Sequence, residues 1–279
     1  MNVSVLIVNY NTKELVSNCL SSVYQQTVDI DFEVIVVDNA SEDGSQEMIK
    51  SRYPEVVLIE SQTNLGFGRA NNAGARIAKG KYLFLLNSDT ELINNAIKLF
   101  FDYMEQYNQN RKIGAIGALL LNRDNEIIHS YGRFPSIRNN SLLLPLYRKR
   151  ENRPFAEGAT DFDVEYVTGA DLFIPTDIFN EMNGFDEKFF MYFEETDLQY
   201  RMKNRGLERK IINGPLIYHL ESGSFGKENR MSNKKKLLMK ESLNIFLKKH
   251  HTKLYQYIYK IYDRLVDMKI ILNSITHRK

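Results

Sequence analysis

The sequence is poor in cysteine and has no long apolar run. Cys19 is the single cysteine among 279 residues, so an internal disulfide is excluded, and a small buried side chain in a reducing cytoplasm is the expectation. The apolar runs at 3–8 and 113–121 are far shorter than the roughly 20 residues that a membrane-spanning helix needs. The first run is also too short for a secretory signal and follows no basic leader. We therefore expect a cytoplasmic protein without a transmembrane segment.

The net charge of +2 hides a strong asymmetry along the chain. Residues 234–279 carry 12 lysine and arginine residues against three acidic ones, whereas residues 1–233 carry 25 against 32. The body is therefore acidic and the tail strongly basic. A basic helical end favours an anionic partner surface, with a solvated face as the alternative.

Short apolar runs alternate with helical patterns in the first half of the chain. The runs are rich in β-branched or aromatic residues and lie at 3–8, 33–38, 56–60 and 81–86. The helical patterns lie between them at about 12–25, 44–52 and 66–79. Nearly continuous apolar strands that alternate with helices predict an α/β fold whose parallel sheet is buried on both faces. Ligands of such sheets bind beyond the carboxyl ends of the strands, so we expect the chemistry in the loops that follow them.

The second half has a different pattern. Short strands occur between about 113 and 175, interrupted by a stretch at 134–160 that contains Pro, Arg and Asn. That stretch is either a mobile lid or a disordered segment. A helix near 194–204 and a strand near 208–218 complete the body.

The loops after the second and third strands carry candidate nucleotide-binding residues. Asp38 can accept a hydrogen bond from N3–H of a uracil or thymine ring, or else it caps the next helix. Gly66 and Gly68 form only part of a dinucleotide-binding G-x-G-x-x-G motif, because Asn71 replaces the third glycine and the pair follows the third strand. We therefore reject a dinucleotide-binding fold. Arg69 can approach a diphosphate from the first turn of its helix, with a surface salt bridge as the alternative.

A candidate metal site follows the strand at 81–86. Asp89 offers an oxygen ligand to Mg²⁺ or Mn²⁺, which would neutralise the charge on a departing diphosphate. Because Asn87 is not acidic, a second ligand must come from elsewhere in the chain. His219, in the polar loop HLESGS, is the candidate, and imidazole with carboxylate suits Mn²⁺ better than Mg²⁺. The alternative is that His219 is a structural hydrogen-bond donor.

Three acids lie at the start of the helix predicted near 194–204, directly after an aromatic run. They repel one another, and the positive helix N-terminus offsets this repulsion only in part. Aromatic neighbours can desolvate one carboxyl group, raise its pKa and fit it for proton abstraction. Glu195 is the candidate base, and Glu194 is its closest rival. Asp197 caps the helix or orients an acceptor, and acid enrichment of a first helical turn is the simpler alternative for all three residues.

These segments resemble family 2 glycosyltransferases with the GT-A fold. The resemblance runs from about Val3 to His219 and includes, in the family's order, VSVLIVNYN, VVDNASEDGS, NLGFGRANN, LLNSD, TGADLF and GFDEKFFMYFEETDL. It implies a Rossmann-like, mostly parallel central sheet flanked by helices, with a C-terminal helical extension. It also implies a catalytic domain at 1–222, with a donor half at about 1–110 and an acceptor half at about 111–222. Residues 223–279 would form a flexible loop and a basic amphipathic helical tail.

The resemblance implies an inverting displacement in which Glu195 removes a proton from an acceptor hydroxyl. The family usually has Glu-Asp where this chain has Glu194 and Glu195, and Asp-x-Asp where it has Asn87 and Asp89. The implied donor-binding residues are Asn9, Tyr10, Asn11, Asp38, Asn64, Arg69, Asn87 and Ser88. The implied acceptor-binding residues are Gly169, Asp171 and Asp197, with a turn acid as the alternative for Asp171. Asp89 and His219 would hold Mn²⁺ or Mg²⁺.

Asn87 in place of the first acid resembles the branch that contains rhamnosyltransferases using dTDP-rhamnose. We therefore expect a dTDP- or UDP-sugar donor, a glycan or lipid-linked glycan acceptor, and no nucleic-acid partner. Two alternatives are a non-catalytic nucleotide-sugar-binding protein and a nucleotidyltransferase on a related fold. The second would need a Gly-rich, basic loop after the first strand, where this chain has NYNT.

The tail has an apolar stripe at helical spacing. The stripe comprises Leu254, Ile258, Ile261, Leu265, Met268 and Leu272. We expect it to dock on the catalytic body or to pair with a second copy, ahead of lying on an anionic membrane. The last arrangement would place the protein peripherally at the inner face of the cell membrane.

Overall fold

The computed structural model describes residues 1–137, 161–220 and 233–276, with side chains up to residue 265 in the last segment. Most of the stretch at 134–160 and the loop expected at 223–232 lie outside these residues. The strands are β1 (Val3–Asn9), β2 (Phe32–Asp38), β3 (Val57–Glu60), β4 (Tyr82–Asn87), β5 (Thr90–Leu92), β6 (Ile113–Gly117), β7 (Leu120–Leu121), β8 (Tyr131–Gly132), β9 (Phe162–Asp163), β10 (Tyr166–Val167), β11 (Asp171–Pro175), β12 (Glu208–Ile211) and β13 (Ile217–His219).

The helices surround this framework of strands. They are α1 (Lys13–Gln26), α2 (Ser45–Arg52), α3 (Phe67–Ala75), α4 (Ala96–Tyr107), α5 (Thr176–Glu181), α6 (Glu194–Asn204), α7 (Asn233–His250) and α8 (Lys253–Thr276).

An eight-stranded sheet forms the centre of the molecule, in the order β3-β2-β1-β4-β11-β6-β12-β9. Strands β3, β2, β1 and β4 are parallel, as are β6 and β12. Strand β11 runs antiparallel between β4 and β6, so a strand from the second half of the chain completes the sheet begun by the first half. Two smaller sheets, β5-β13-β7 and β10-β8, lie beside it.

Alternate residues of β1 enter two apolar clusters, one on each face of the sheet. Val3, Val5 and Ile7 belong to one cluster, whereas Leu6 belongs to the other. All four side chains are at most 1% exposed. Strand β1 is apolar at almost every position because both of its faces are covered. The predicted α/β class and mostly parallel sheet are confirmed.

Two predicted elements differ from the structure. Helix α3 ends at Ala75, before the predicted end at about 79, because Gly80 lies against the backbone of Ser4 where the chain enters β4. Ile77, beyond the end of α3, is therefore 45% exposed. The single strand predicted at 208–218 is two strands in different sheets, because Gly214, with a φ of 113°, breaks the extended backbone between β12 and β13.

The helical extension at the C-terminus is confirmed, but its apolar stripe is not docked on the body. Leu254, Ile258, Ile261 and Leu265 of α8 are between 42% and 70% exposed. The four described stripe residues are therefore not covered by the body, although α8 contacts it elsewhere, since Tyr255 accepts a hydrogen bond from the backbone N–H of Ile137 at 2.9 Å and Tyr259 is buried. The side chains of Met268 and Leu272 lie outside the described residues. Within the three described segments, the chain forms no helix of the length and apolar content that crossing a bilayer requires.

Candidate active site

The carboxyl ends of β1, β2 and β4 bring three polar residues to one edge of the large sheet. The strand register pairs Asn9 with Asp38, and it pairs Val8 with Asn87. Because these strands are parallel, the loops that follow them emerge on the same side of the sheet. The structure therefore brings together the loops in which the sequence predicted the chemistry.

Asp38 is fully buried at this edge. Its Oδ1 atom accepts hydrogen bonds from the backbone N–H of Ser41 at 2.9 Å and from Nε2 of Gln46 at 2.6 Å. Its Oδ2 atom accepts one from Nδ2 of Asn9 at 2.8 Å. Asp38 therefore holds the turn that follows β2. Oδ1 already accepts two hydrogen bonds, so Oδ2, which accepts one, is the atom left for the predicted bond to a nucleobase.

Asn9 connects this turn to the loop after β4. Its Oδ1 atom accepts a hydrogen bond from Oγ1 of Thr12 at 2.7 Å, and Thr12 Oγ1 lies 3.0 Å from Oγ of Ser88. Asn9 itself is fully buried, whereas Ser88 is partly exposed. These hydrogen bonds between side chains connect the loop after β1 to the loop after β4 and fix their relative positions.

Among the other predicted donor-binding residues, some are exposed and others form hydrogen bonds within the protein. Tyr10 is 42% exposed, and Asn11 is exposed with a left-handed φ of 53°. Asn64 accepts hydrogen bonds from the side chain of Asn39 and from the backbone N–H of Gly66. The guanidinium of Arg69 is exposed but donates two hydrogen bonds, at 2.9 and 2.6 Å, to the carbonyl oxygen of Glu187. In this conformation Arg69 therefore braces the segment that precedes α6.

Asp89 and His219 meet although they come from different parts of the chain. Strand β13 pairs antiparallel with β5, and this register places His219 opposite Thr90. The Nε2 atom of His219 lies 3.2 Å from Oδ1 of Asp89 and 3.5 Å from the side-chain amide of Asn87. The carboxylate, the imidazole and the amide predicted for this site are thus assembled in one place.

Cys19 lies beneath this cluster and is fully buried. Its Sγ atom is 3.6 Å from the carbonyl oxygen of Asn87 and 3.7 Å from Oγ1 of Thr90. Burial raises the pKa of the Cys19 thiol to about 12. The expectation of a small buried side chain fits this position.

Asp171 is located inside the sheet at the start of β11, where it is fully buried. Its Oδ2 atom accepts a hydrogen bond from the backbone N–H of Ala118 at 2.6 Å, and Oδ1 has no hydrogen-bond partner. Burial raises the pKa of Asp171 to about 7, although the nearby His219 opposes this rise. The expected contact between Asp171 and an acceptor hydroxyl stays a prediction, and in this structure the carboxyl group is buried and does not reach the surface.

Glu195 lies beside the predicted acceptor residue Gly169. A methyl group placed on Gly169 would be 3.8 Å from Cβ of Glu195, an ordinary van der Waals contact, and 3.3 Å from the ring of Phe67, which is tighter. Helix α6 is fixed to β10 by Gln199, whose amide exchanges hydrogen bonds of 2.8 and 2.7 Å with the backbone of Val167. The alanine after Gly169 accepts a hydrogen bond from the backbone N–H of Asn87. This contact joins the Gly169 loop to the Asn87 loop.

Glu194 and Glu195 differ in environment although they are adjacent. Glu194 is 3% exposed and its Oε2 atom has no hydrogen-bond partner, whereas Glu195 is partly exposed and accepts a hydrogen bond from Oγ1 of Thr196 at 3.1 Å. Burial raises the pKa of both groups, and for Glu194 the charge of Glu195 raises it further. Because Glu194 is the more buried of the two and its Oε2 atom has no partner, burial opposes the ionisation of Glu194 more than that of Glu195.

The sequence profile described as glycosyl transferase family 2 matches residues 4–153, which is more than half of the chain. The chain belongs to this family. The enzyme class predicted from the sequence, a glycosyltransferase, is thereby confirmed. The matched residues include the loops after β1, β2 and β4 and helix α3.

Similar proteins come from several organisms. An N-acetylglucosaminyl-diphospho-decaprenol L-rhamnosyltransferase of Mycobacterium tuberculosis is 24% identical over 218 residues, which cover 70% of this chain and 68% of the relative. A poly(ribitol-phosphate) beta-glucosyltransferase of Bacillus spizizenii is 32% identical over 124 residues, which cover 43% of this chain but only 20% of the relative. The chain thus resembles a rhamnosyltransferase over most of its length.

Solved structures share the fold of this family 2 chain. The structure of GalNAc-T7 with UDP, GalNAc and Mn²⁺ matches with a TM-score of 0.63 at 16% identity, over 88% of this chain and 48% of that one. A mannosyltransferase of Pyrobaculum calidifontis in complex with GDP-Man and Mn²⁺ matches with a TM-score of 0.59 at 17% identity, over 89% and 63%. The chain spans less than two thirds of either structure. Both similarities support the predicted GT-A fold.

The Asp89–His219 pair of this family 2 chain has a geometry that fits a divalent cation. Two adjacent ligands at about 2.1 Å from an octahedral ion lie about 3 Å apart, which is close to the 3.2 Å between Asp89 Oδ1 and His219 Nε2. Among the residues that the structure describes, no group of three or more His, Cys, Asp and Glu side chains is arranged so that it could hold a metal ion. A cation held here would therefore need ligands besides these side chains.

Asp197 is fully buried in an ionic cluster, and its expected role in orienting an acceptor stays a prediction. Its carboxylate lies 2.7 Å from Nε2 of His250, 2.9 Å from Nε of Arg201 and 2.9 Å from Nζ of Lys249. Burial opposes the ionisation of Asp197, but these partners outweigh it and lower the pKa of the carboxyl group. The N-cap residue of α6 is Phe193, so the cap position itself holds no polar side chain.

Lys249 and His250 are the residues that sequence reasoning missed in this family 2 chain. They come from helix α7, beyond the segments that resemble the family. In the sequence they belong to a short basic run at 248–250, which is typical of the last turn of a helix. Nothing in that run indicates that two of its members contact the helix that carries the candidate base.

Proposed function

We propose that the protein is a metal-assisted, inverting glycosyltransferase that moves a sugar from a nucleoside diphosphate to a hydroxyl group of a glycan or lipid-linked glycan. The observation that carries the proposal is the position of Glu195, partly exposed beside Gly169 and adjacent to the buried Glu194. Family membership supports sugar transfer as the reaction class.

Glu195 would act as the general base. Its carboxylate takes the proton of the acceptor hydroxyl while that oxygen forms a bond to C1 of the sugar. The bond from C1 to the diphosphate oxygen breaks at the same time, and its electron pair leaves with the nucleoside diphosphate. Attack opposite to the leaving group inverts the configuration at C1. The deeper burial of Glu194 supports this assignment, because Glu195 is the partly exposed carboxyl group of the pair.

Asp89 and His219 would hold the divalent cation. When bound, Mn²⁺ or Mg²⁺ supplies positive charge that stabilises the departing diphosphate. The donor's phosphate oxygens and water would complete the ligand shell. The Mn²⁺ in the two solved structures supports a divalent metal, and the imidazole ligand favours Mn²⁺.

A dTDP- or UDP-sugar is the proposed donor, with rhamnose as the sugar. The similarity to the L-rhamnosyltransferase named above supports rhamnose as the sugar. Asn87, in the place of the first acid of the Asp-x-Asp motif, supports it as well. Asp38 is fully buried, so it would have to become accessible before its Oδ2 atom, which accepts a hydrogen bond from Asn9, could also accept one from the N3–H group of the base. Arg69 would release the carbonyl oxygen of Glu187 to reach the diphosphate. The remaining donor contacts would come from Tyr10, Asn11, Asn64 and Ser88.

Thermal-shift measurements with dTDP-, UDP- and GDP-sugars, each with and without Mn²⁺, test the donor. A ligand that binds only the folded protein raises its Tm, so we expect dTDP-rhamnose with Mn²⁺ to give the largest rise. Release of the nucleoside diphosphate without acceptor would then show that the bond to C1 is broken. A response to GDP-sugars alone would reject the pyrimidine donor, and no response to any nucleotide sugar would reject the function.

The same measurements separate the alternatives. A non-catalytic nucleotide-sugar-binding protein would show the rise in Tm but would leave the donor intact. A nucleotidyltransferase would respond to nucleoside triphosphates and release pyrophosphate. The carboxyl pair at Glu194 and Glu195 favours the transferase, because neither alternative needs a base at that point.

A cytoplasmic enzyme at the inner face of the cell membrane is the proposed location, with α8 on the anionic surface. Its exposed apolar residues include Leu254, Tyr257 and Ile261, and basic residues such as Lys253 and Lys260 accompany them. This combination is typical of helices that lie in the lipid headgroup region. Pairing with a second copy would bring two basic tails together, and their repulsion disfavours it.

Co-sedimentation with anionic and neutral vesicles tests this location. We expect binding to vesicles that contain phosphatidylglycerol, weakened at high salt because the Debye length falls to about 3 Å at 1 M. A variant with Leu254→Ser, Ile258→Ser and Ile261→Ser should lose the binding while α7 keeps its contacts with the body. A concentration-dependent dimer that persists at high salt, without vesicle binding, would instead favour self-association.

A further inference from the structure

Helix α7 contacts the segment that carries the candidate base at three separate points. This segment, residues 186–197, begins at Asp186 and ends in the first turn of α6, and we name it the base segment. Its backbone is unusual, since Tyr192 and Phe193 both have a left-handed φ of 68° directly before Glu194. Non-glycine residues adopt this conformation only where surrounding contacts maintain it. Helix α7 supplies such contacts.

Lys249 joins the two ends of the base segment. Its Nζ atom lies 2.6 Å from Oδ2 of Asp186 and 2.9 Å from Oδ1 of Asp197. Asp197 is fully buried, so its charge requires the cationic partners around it. Because Asp186 and Asp197 bind the same ammonium group, the residues between them form a closed loop whose ends are fixed. Glu194 and Glu195 lie in this loop.

The middle of the base segment is held by Ser242 and Phe246. The Oγ atom of Ser242 donates a hydrogen bond of 2.7 Å to the carbonyl oxygen of Met191, the residue before the two left-handed ones. Phe246 is fully buried, and its ring centroid lies 6.2 Å from that of Phe193 and 5.3 Å from that of Tyr200. The left-handed turn is therefore supported by α7 from one side.

We propose that Lys249 and Ser242 of α7 are positioning residues for Glu195, a role that rests on the proposed function. They do not touch the substrate. They hold the turn that sets where the carboxylate of Glu195 stands relative to Gly169, and His250 assists by its bond to Asp197. Helix α7 then supports the active site from outside it, although α7 lies beyond the residues that match the family.

A kinetic comparison of Lys249→Met with wild type tests this role in the full chain. A displaced base slows the chemical step but leaves donor binding intact, so we expect kcat to fall roughly 10- to 100-fold while KM for the donor changes little. Lys249→Arg keeps the cation and should restore most of kcat. Lys248→Met is the matched control, because Lys248 is the exposed neighbour on the same helix. Ser242→Ala removes one hydrogen bond and should lower kcat in the same way if Lys249→Met does not fold.

The measurements are made well below the Tm of each variant, so that loss of folded protein does not imitate a loss of turnover. A Lys249→Met variant and a Ser242→Ala variant with wild-type kcat would overturn the positioning role and leave the transferase standing. A parallel loss of kcat in Lys248→Met would also overturn it. A wild-type chain that neither transfers nor hydrolyses any sugar donor would overturn the proposed function, and the positioning role with it.

Discussion

The Nε2 atom of His219 lies 3.2 Å from Oδ1 of Asp89, and these side chains are 15% and 14% exposed. The contact depends on β13, which pairs with β5 and so carries the end of the body back to the loop after β4. This carboxylate and this imidazole are the two side-chain ligands that we propose for the cation.

Removal of either side chain should weaken metal binding. We expect Asp89→Asn and His219→Ala each to raise the apparent Kd for Mn²⁺ at least about tenfold, because even loss of a group that only supports a ligand costs 10- to 100-fold. The measurement is the donor-dependent rise in Tm as Mn²⁺ is titrated. Asp124→Asn, at an exposed acid of the loop before β8, serves as the control. An unchanged Mn²⁺ response in both variants would remove the pair from the metal site.

Glu194 and Glu195 should respond differently to the same substitution. Glu195→Gln removes the base and should lower turnover by about 10²–10⁴-fold with donor binding preserved. Glu194→Gln replaces a group whose raised pKa already favours the neutral form, so its effect should be much smaller. Steady-state kinetics of the two variants checks this. The reverse order of effects would assign the base to Glu194.

Asp197→Asn should destabilise the protein in a pH-dependent way. The pKa of Asp197 is lowered in the folded state, so its carboxylate contributes stability above the unfolded pKa of about 3.9 and loses that contribution as pH falls through the folded value. At pH 7 the variant leaves Arg201 and Lys249 without their buried counter-charge, which should cost about 3–5 kcal/mol. Urea unfolding of both proteins between pH 3 and 7 measures the difference, which should narrow below about pH 4. A difference that is constant over this range would contradict the ionic role.

Two glycine substitutions should separate steric overlap from backbone strain. Gly66 and Gly206 both have positive φ, at 81° and 76°. A methyl group on Gly66 would lie 2.1 Å from the carbonyl oxygen of Phe190, whereas one on Gly206 meets nothing within 4 Å. Gly206→Ala should therefore cost about 1 kcal/mol from the left-handed conformation alone, and Gly66→Ala clearly more. Thermal unfolding of the two variants measures these losses of stability. Equal losses would mean that the base segment moves away from the added methyl group at little cost.

The fold could be predicted because its central strands follow local rules. Strand β1 is apolar at nearly every position because both faces are buried, and that pattern is visible without knowing its neighbours. The edge where Asn9, Asp38 and Asn87 meet follows from parallel strands alone. The approach of His219 to Asp89 was predicted from chemistry, since the loop after β4 lacked a second ligand. The break between β12 and β13 at Gly214 was missed, because an apolar run does not reveal that the chain changes sheets.

The acids at 171 and 197 show what pattern reading could not supply. Both are fully buried, and their surroundings come from distant residues such as Ala118, Lys249 and His250. An acid in a first helical turn or at a strand start is ordinarily exposed, so exposure was the reasonable expectation. The position of the apolar stripe of α8 could not be predicted for a similar reason. Periodicity identifies an apolar face of a helix, but it does not show which surface covers that face.

The lone thiol beneath Asn87 makes the protein a convenient object for site-directed labelling. Because Cys19 is fully buried and its pKa is about 12, maleimide reagents in neutral buffer should leave it untouched while the protein is folded. A fluorophore attached to a cysteine introduced on α7 would then report that helix without background. The slow rate at which Cys19 itself is modified would measure how often the loop after β4 opens and exposes the thiol.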